Sequence, residues 1–119
     1  MKKSQFIMIV DDDRDWAETV ANMFQAYGYE VEIVGSGCQA VEQARQAAFD
    51  MVFMDVDIPV MNGVATCVEI RKSNPDAKIM MMSGVKRSGI EVALDAGALG
   101  LLEKPLGFER MLEVVESAG

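Results

Sequence analysis

A chain of 119 residues, half of them apolar and a quarter charged, has the size and composition of one globular domain and needs no disulfide or metal to hold it together. Eleven basic against nineteen acidic residues leave a net charge of −8, which repels nucleic acid and anionic membrane surfaces. The absence of histidine removes His-based triads, His-ligated zinc or haem, and any phosphohistidine carried by this chain itself.

The chain opens Met1-Lys2-Lys3-Ser4-Gln5 and enters a short apolar run, Phe6 to Val10, too short for the core of a secretory signal. No later run approaches the roughly 20 apolar residues of a membrane span. With two thiols, Cys38 and Cys67, this predicts reduced cysteines and a cytoplasmic protein with no membrane attachment. Trp16, Val20, Met23, Phe24 and Tyr27 then recur at helical spacing and predict a helix with those residues on its buried face. Gly28 is placed to end it in a left-handed cap. Val31 to Val34 form a second strand, and the alternating Glu30 and Glu32 suit an edge position. Ser36 is placed to cap a second helix that buries Val41, Ala44 and Ala48. A third strand, Met51 to Met54, is apolar throughout. A helix with Val64, Cys67 and Val68 on one face follows, closed by a turn at Asn74-Pro75-Asp76. The fourth strand is Ile79 to Met82. A helix with Ile90, Ala93, Leu94 and Gly97 leads to a fifth strand, Leu99 to Leu102, and Phe108, Met111, Leu112 and Val115 mark the last helix. Five strands and five helices in strict alternation predict an α/β doubly wound fold with a parallel sheet, as one domain over residues 1–119 with no effector domain in it. The run Met80-Met81-Met82 reads as core filler rather than a soft-metal site, and both cysteines read as small buried hydrophobes.

In such a sheet every strand's carboxyl end lies on one edge, where ligands bind. The residues there are Asp11-Asp12-Asp13, Asp55, Ser83-Gly84 and Lys104-Pro105. Clustered carboxylates call for a compensating cation, and a hard divalent ion with oxygen ligands is the natural one. With a metal present, Asp55 can act as a nucleophile toward phosphorus, while Lys104 neutralises charge on the transferring group and Ser83 donates a hydrogen bond to it. Each piece alone has an ordinary explanation. Aspartates start helices, as Asp13 and Asp15 are placed to do, an aspartate before Pro59 and Asn62-Gly63 suits a turn, and a lysine before proline suits a solvated loop. Their joint placement at strand ends favours a site.

These strings, Ile9-Val10-Asp11-Asp12-Asp13, Met54-Asp55-Val56-Asp57-Ile58-Pro59-Val60-Met61-Asn62-Gly63, Met82-Ser83-Gly84, and Ala96-Gly97-Ala98 leading to Lys104-Pro105, closely resemble the receiver domain of bacterial two-component response regulators. The resemblance implies a flavodoxin-like sheet of order 2-1-3-4-5, with Asp55 as phosphoacceptor. It implies Asp11 and Asp12 as the acidic pair holding Mg²⁺, Asp12 more directly, with the backbone carbonyl of Asp57 as a further ligand. Ser83 would be the switch hydroxyl, Lys104 the phosphate-pairing lysine, and Lys104-Pro105 a cis peptide. It further implies a sensor histidine kinase or phosphotransfer protein as phosphodonor and a downstream protein or effector domain as recipient, reached through the face of the fourth helix, fifth strand and fifth helix. The chain would then be a switch and not a turnover enzyme. Three residues before the lysine, where the family most often has Tyr or Phe, stands Leu101. An Mg²⁺-dependent phosphatase working through an aspartyl-phosphate is the alternative enzyme reading, since Asp57 stands two residues after Asp55, but it leaves Asp11-Asp12 unexplained. A receiver-like interaction module that takes no phosphate is another. A flavin-binding module fails on the three aspartates after the first strand.

Overall fold

Short apolar runs joined by long amphipathic stretches leave room for crossover helices rather than hairpins, so the strands pair in parallel. The computed structural model, which describes residues 5–56, 62–84, 90–104 and 106–118, follows this rule. Its elements are β1 (Phe6–Val10), α1 (Arg14–Ala26), β2 (Glu30–Val34), α2 (Gly37–Gln46), β3 (Met51–Asp55), α3 (Gly63–Ser73), β4 (Lys78–Ser83), α4 (Ile90–Asp95), β5 (Gly100–Glu103) and α5 (Phe108–Ala118). The sheet is parallel throughout, in the order β2-β1-β3-β4-β5. The apolar strands β1, β3 and β4 are interior, and β2, with Glu30 and Glu32, is an edge.

Successive side chains of a strand point to opposite faces, so each interior strand feeds two cores. On one face α2, α3 and α4 cover Met8, Val10, Val52, Met54, Ile79 and Met81. On the other α1 and α5 cover Ile7, Ile9, Met51, Phe53 and Met82. The three consecutive methionines divide accordingly, Met81 to the first core and Met80 and Met82 to the second. Each large side chain buried this way contributes about 1.5–3 kcal/mol. Phe24 of α1 ties the second core together, with ring centroids 6.1 Å from Phe53 and 4.8 Å from Phe108.

Three helices that leave the carboxyl edge start on a side-chain cap. Asp13 accepts from Trp16 N–H, Ser36 from Gln39 N–H, and Asn62 from Ala65 N–H. Gly28 closes α1 with φ +92°, as its position predicts.

Several sequence expectations shift by a fraction of a turn. The buried stripe of α1 is Ala17, Val20, Ala21 and Phe24, whereas Met23 and Tyr27 are exposed. Two alanines let the helix approach the sheet closely and turn its centre away from Met23. In α3 Thr66 and Ile70 are buried with Cys67, while Val68 is exposed. The Thr66 hydroxyl is accommodated by donating to the Asn62 carbonyl at 2.8 Å. Leu94 is exposed, and Gly97 lies past the end of α4 with φ +99° rather than on its face. Cys38 is exposed in the first turn of α2, not buried as expected. Cys67 is buried, and that burial raises its thiol pKa despite the opposing charge of Arg71.

Candidate functional site

Hydrogen bonds that run past the strand ends align the carboxyl edge. Asp11 N–H donates to the Val34 carbonyl (3.1 Å), Val56 N–H to Met82 (2.9 Å), and Lys104 N–H to Ser83 (2.8 Å). The residue after β1 and the last residues of β3 and β4 are thereby held level. Asp11, Asp55 and Ser83 are all buried there, although nearly every other buried side chain among the described residues is apolar. Buried carboxylates are expensive unless paired. Lys104 supplies the pairing: its Nζ donates to Asp11 Oδ2 at 2.8 Å and to Asp55 Oδ2 at 3.0 Å. Asp11 Oδ1 also accepts from Asp13 N–H at 2.8 Å, which joins the carboxylate to the start of α1.

Asp12, exposed at the mouth, completes an acidic group in which one oxygen from each of Asp11, Asp12 and Asp55 lies within 4.8 Å of the others. Three carboxylates against one ammonium leave two negative charges in a space the size of a cation's coordination shell. An all-oxygen donor set of that charge fits a hard divalent cation. Burial alone would lower the Lys104 pKa and is the largest single influence. The hydrogen bonds and charges of Asp11 and Asp55 together outweigh it and raise the pKa above the ordinary lysine value of 10.5. The ammonium is therefore charged throughout the physiological range.

All four principal side chains expected from the sequence, Asp11, Asp55, Ser83 and Lys104, thus lie on one edge, with Asp12 beside them. The Asp57 carbonyl and the Lys104-Pro105 peptide fall on residues outside those described. Leu101 is half-buried against the core under α2, α3 and α4. Two contributors escape sequence reasoning. The Trp16 ring has the Lys104 Nζ 5.6 Å from its centroid, within cation–π range. Gly63 opens α3 directly against the site strand: a Cβ there would sit 2.7 Å from the Asp55 carbonyl oxygen and 2.8 Å from Val56 Cα. Its N–H donates to the Val56 carbonyl at 3.0 Å. The signals were present, an aromatic three residues after a capping aspartate and a glycine after a capping asparagine, but both also suit packing and turns.

Comparison with known proteins agrees with this geometry. Residues 7–116 match the response regulator receiver domain. The transcriptional regulatory protein ZraR of Escherichia coli K12 is 37% identical over 115 residues, covering 94% of this chain and 26% of that protein. The chain therefore spans about a quarter of the length of such curated relatives. Among solved structures, a CheY-like receiver domain protein from Methanospirillum hungatei JF-1 superposes with TM-score 0.91 at 26% identity, covering 97% of this chain and 93% of that one. The receiver domain of sensor histidine kinase PA1611 from Pseudomonas aeruginosa PAO1, solved with a magnesium ion coordinated in its active-site cleft, superposes with TM-score 0.85 at 26% identity, covering 97% of each chain. Sheet order, edge chemistry and the match across nearly the whole chain lead to one conclusion: this chain belongs to the response regulator receiver domains of two-component signalling.

Proposed function

We propose that Asp55 accepts a phosphoryl group from a phosphohistidine on a partner kinase or phosphotransfer protein, with Mg²⁺ held by Asp11, Asp12 and Asp55. The observation that carries this reading is Asp55 itself, a buried carboxylate at the end of β3 with an ammonium 3.0 Å away. The Asp55 oxygen attacks phosphorus, the P–O bond forms as the P–N bond to the donor imidazole breaks, and the imidazole departs. When bound by these carboxylates, the metal would supply charge neutralisation for the phosphoryl oxygens. Lys104 contributes a second positive charge, and Ser83, at the end of β4, is assigned as hydroxyl donor to a phosphoryl oxygen. The Asp57 carbonyl is proposed as a further metal ligand.

The acyl phosphate carries a charge of about −2 where the carboxylate carried −1. We assign the readout to α4, β5 and α5. Val92 and Leu94 of α4 and Leu99 before β5 are exposed apolar side chains on that side, suited to a protein partner. The reading is of a phosphorylation switch in one domain over residues 1–119, acting in the cytoplasm through protein contacts rather than on nucleic acid or membrane. No helix among the described residues is long and apolar enough to cross a membrane.

Intact-mass measurement after incubation with acetyl phosphate tests this. Wild type should gain one phosphate only with Mg²⁺ present, and Asp55→Ala should gain none while keeping its fold by circular dichroism. Uptake by the folded Asp55→Ala variant would overturn the assignment.

A further inference from the structure

The site has a cation contact that neither metal binding nor phosphate acceptance requires. Lys104 has two kinds of partner, the carboxylates of Asp11 and Asp55 and the face of Trp16, with Nζ 5.6 Å from the ring centroid. Trp16 is the only tryptophan in the chain, and its place is fixed from both ends. Its backbone N–H donates to the capping Asp13 carboxylate at 3.1 Å, and Asp13 N–H in turn donates to Asp11 Oδ1 at 2.8 Å. Its ring packs against the core under α1 and α5. Asp11, Asp13, Trp16 and Lys104 thus form a closed circuit of contacts that includes the ammonium beside Asp55.

A lysine side chain is a flexible stem with a point charge at its end, and only its contacts hold it in one place. The two carboxylates do so while they carry full negative charge. A divalent cation held by Asp11 and Asp55 would weaken their hold on the ammonium, whereas attraction by the Trp16 quadrupole would be unaffected. We propose that Trp16 is a positioning residue for the phosphoryl-transfer reaction: its ring keeps the Lys104 ammonium beside Asp55 when the carboxylates are engaged by metal. This rests on Asp55 being the phosphoacceptor.

Two measurements test it. The first needs no metal and no phosphodonor. Urea unfolding of wild type, Trp16→Leu, Lys104→Met and the double variant forms a cycle in which leucine keeps an apolar side chain but has no ring face. Trp16→Leu should lower the folding equilibrium constant roughly two- to five-fold more in wild type than in the Lys104→Met background. Equal costs in the two backgrounds overturn the contact. The second follows phosphorylation by acetyl phosphate with Mg²⁺. Trp16→Leu should slow uptake by a similar factor, roughly two- to five-fold, and Trp16→Phe should restore most of the rate. Wild-type uptake by Trp16→Leu, or a Trp16→Phe variant as slow as Trp16→Leu, overturns the proposal alone. A wild-type protein that takes no phosphate overturns the phosphoacceptor reading and the proposal with it.

Discussion

Lys104 holds together a group of side chains that would otherwise repel one another. Without divalent cation, Lys104→Met leaves two buried carboxylates without their shared donor, which costs about 1–3 kcal/mol, toward the lower end because the lysine is partly exposed. The pH dependence follows from the sign of the shift. The folded pKa of Lys104 is raised, so the stabilisation is complete below the unfolded lysine value and is lost only as pH rises through the folded one. Urea unfolding at a series of pH values should therefore show a level difference between wild type and Lys104→Met from about pH 7 to 9, narrowing above roughly 10.5. A difference that already closes near neutrality would contradict the pairing. At this scale the sequence was informative because polar residues that end apolar runs stand out. Asp11, Asp55, Ser83 and Lys104 could each be named that way. Trp16 could not, because helical periodicity places an aromatic on the inner stripe without saying whether it meets the core or the ligand edge.

Between elements, the start of α3 lies directly against the end of β3, and a missing side chain permits it. A Cβ at Gly63 would meet the Asp55 carbonyl oxygen at 2.7 Å, against backbone that cannot swing aside. Gly63→Ala should push the start of α3 off the strand, cost about 1–3 kcal/mol in thermal or urea unfolding, and lower the phosphorylation rate by disturbing the backbone that carries Asp55. Wild-type stability in that variant would show that α3 has slack there. Element type and order were legible throughout, because the change from short apolar runs to helical spacing is strong in every segment. Which face of each helix turns inward was less so. The outward turn of Met23 and Val68 follows from small or hydroxyl-bearing neighbours, Ala17, Ala21 and Thr66, that approach the sheet more closely than larger side chains would, and in α4 the small Ala93 is buried beside the exposed Leu94. A hydropathy pattern ranks these residues in the opposite order.

For the molecule as a whole, periodicity says that the sheet is parallel but not which strands are neighbours. The order 2-1-3-4-5 came from resemblance, and the strand pairing bears it out. That order places β1 beside β3 and so brings Asp11 and Asp12 to Asp55 across 43 residues or more of chain. With a net charge of −8 and three acids converging at one edge, a bound cation would stabilise the whole fold. Mg²⁺ at about a hundred times its dissociation constant should add roughly 2.7 kcal/mol to wild-type unfolding. Asp12→Asn, altered at an exposed side chain, should be no less stable than wild type without Mg²⁺ and should lose most of the Mg²⁺-dependent gain. An undiminished gain in urea midpoint would remove Asp12 from the site. Chemical mapping of the phosphate tests the assignment of Asp55 itself. Wild type treated with acetyl phosphate and Mg²⁺ is reduced with borohydride, which converts an aspartyl phosphate to homoserine, and its peptides are sequenced by mass spectrometry. Homoserine is expected at position 55 alone; a reduced residue at any other carboxylate, with Asp55 intact, would show that Asp55 is not the phosphoacceptor.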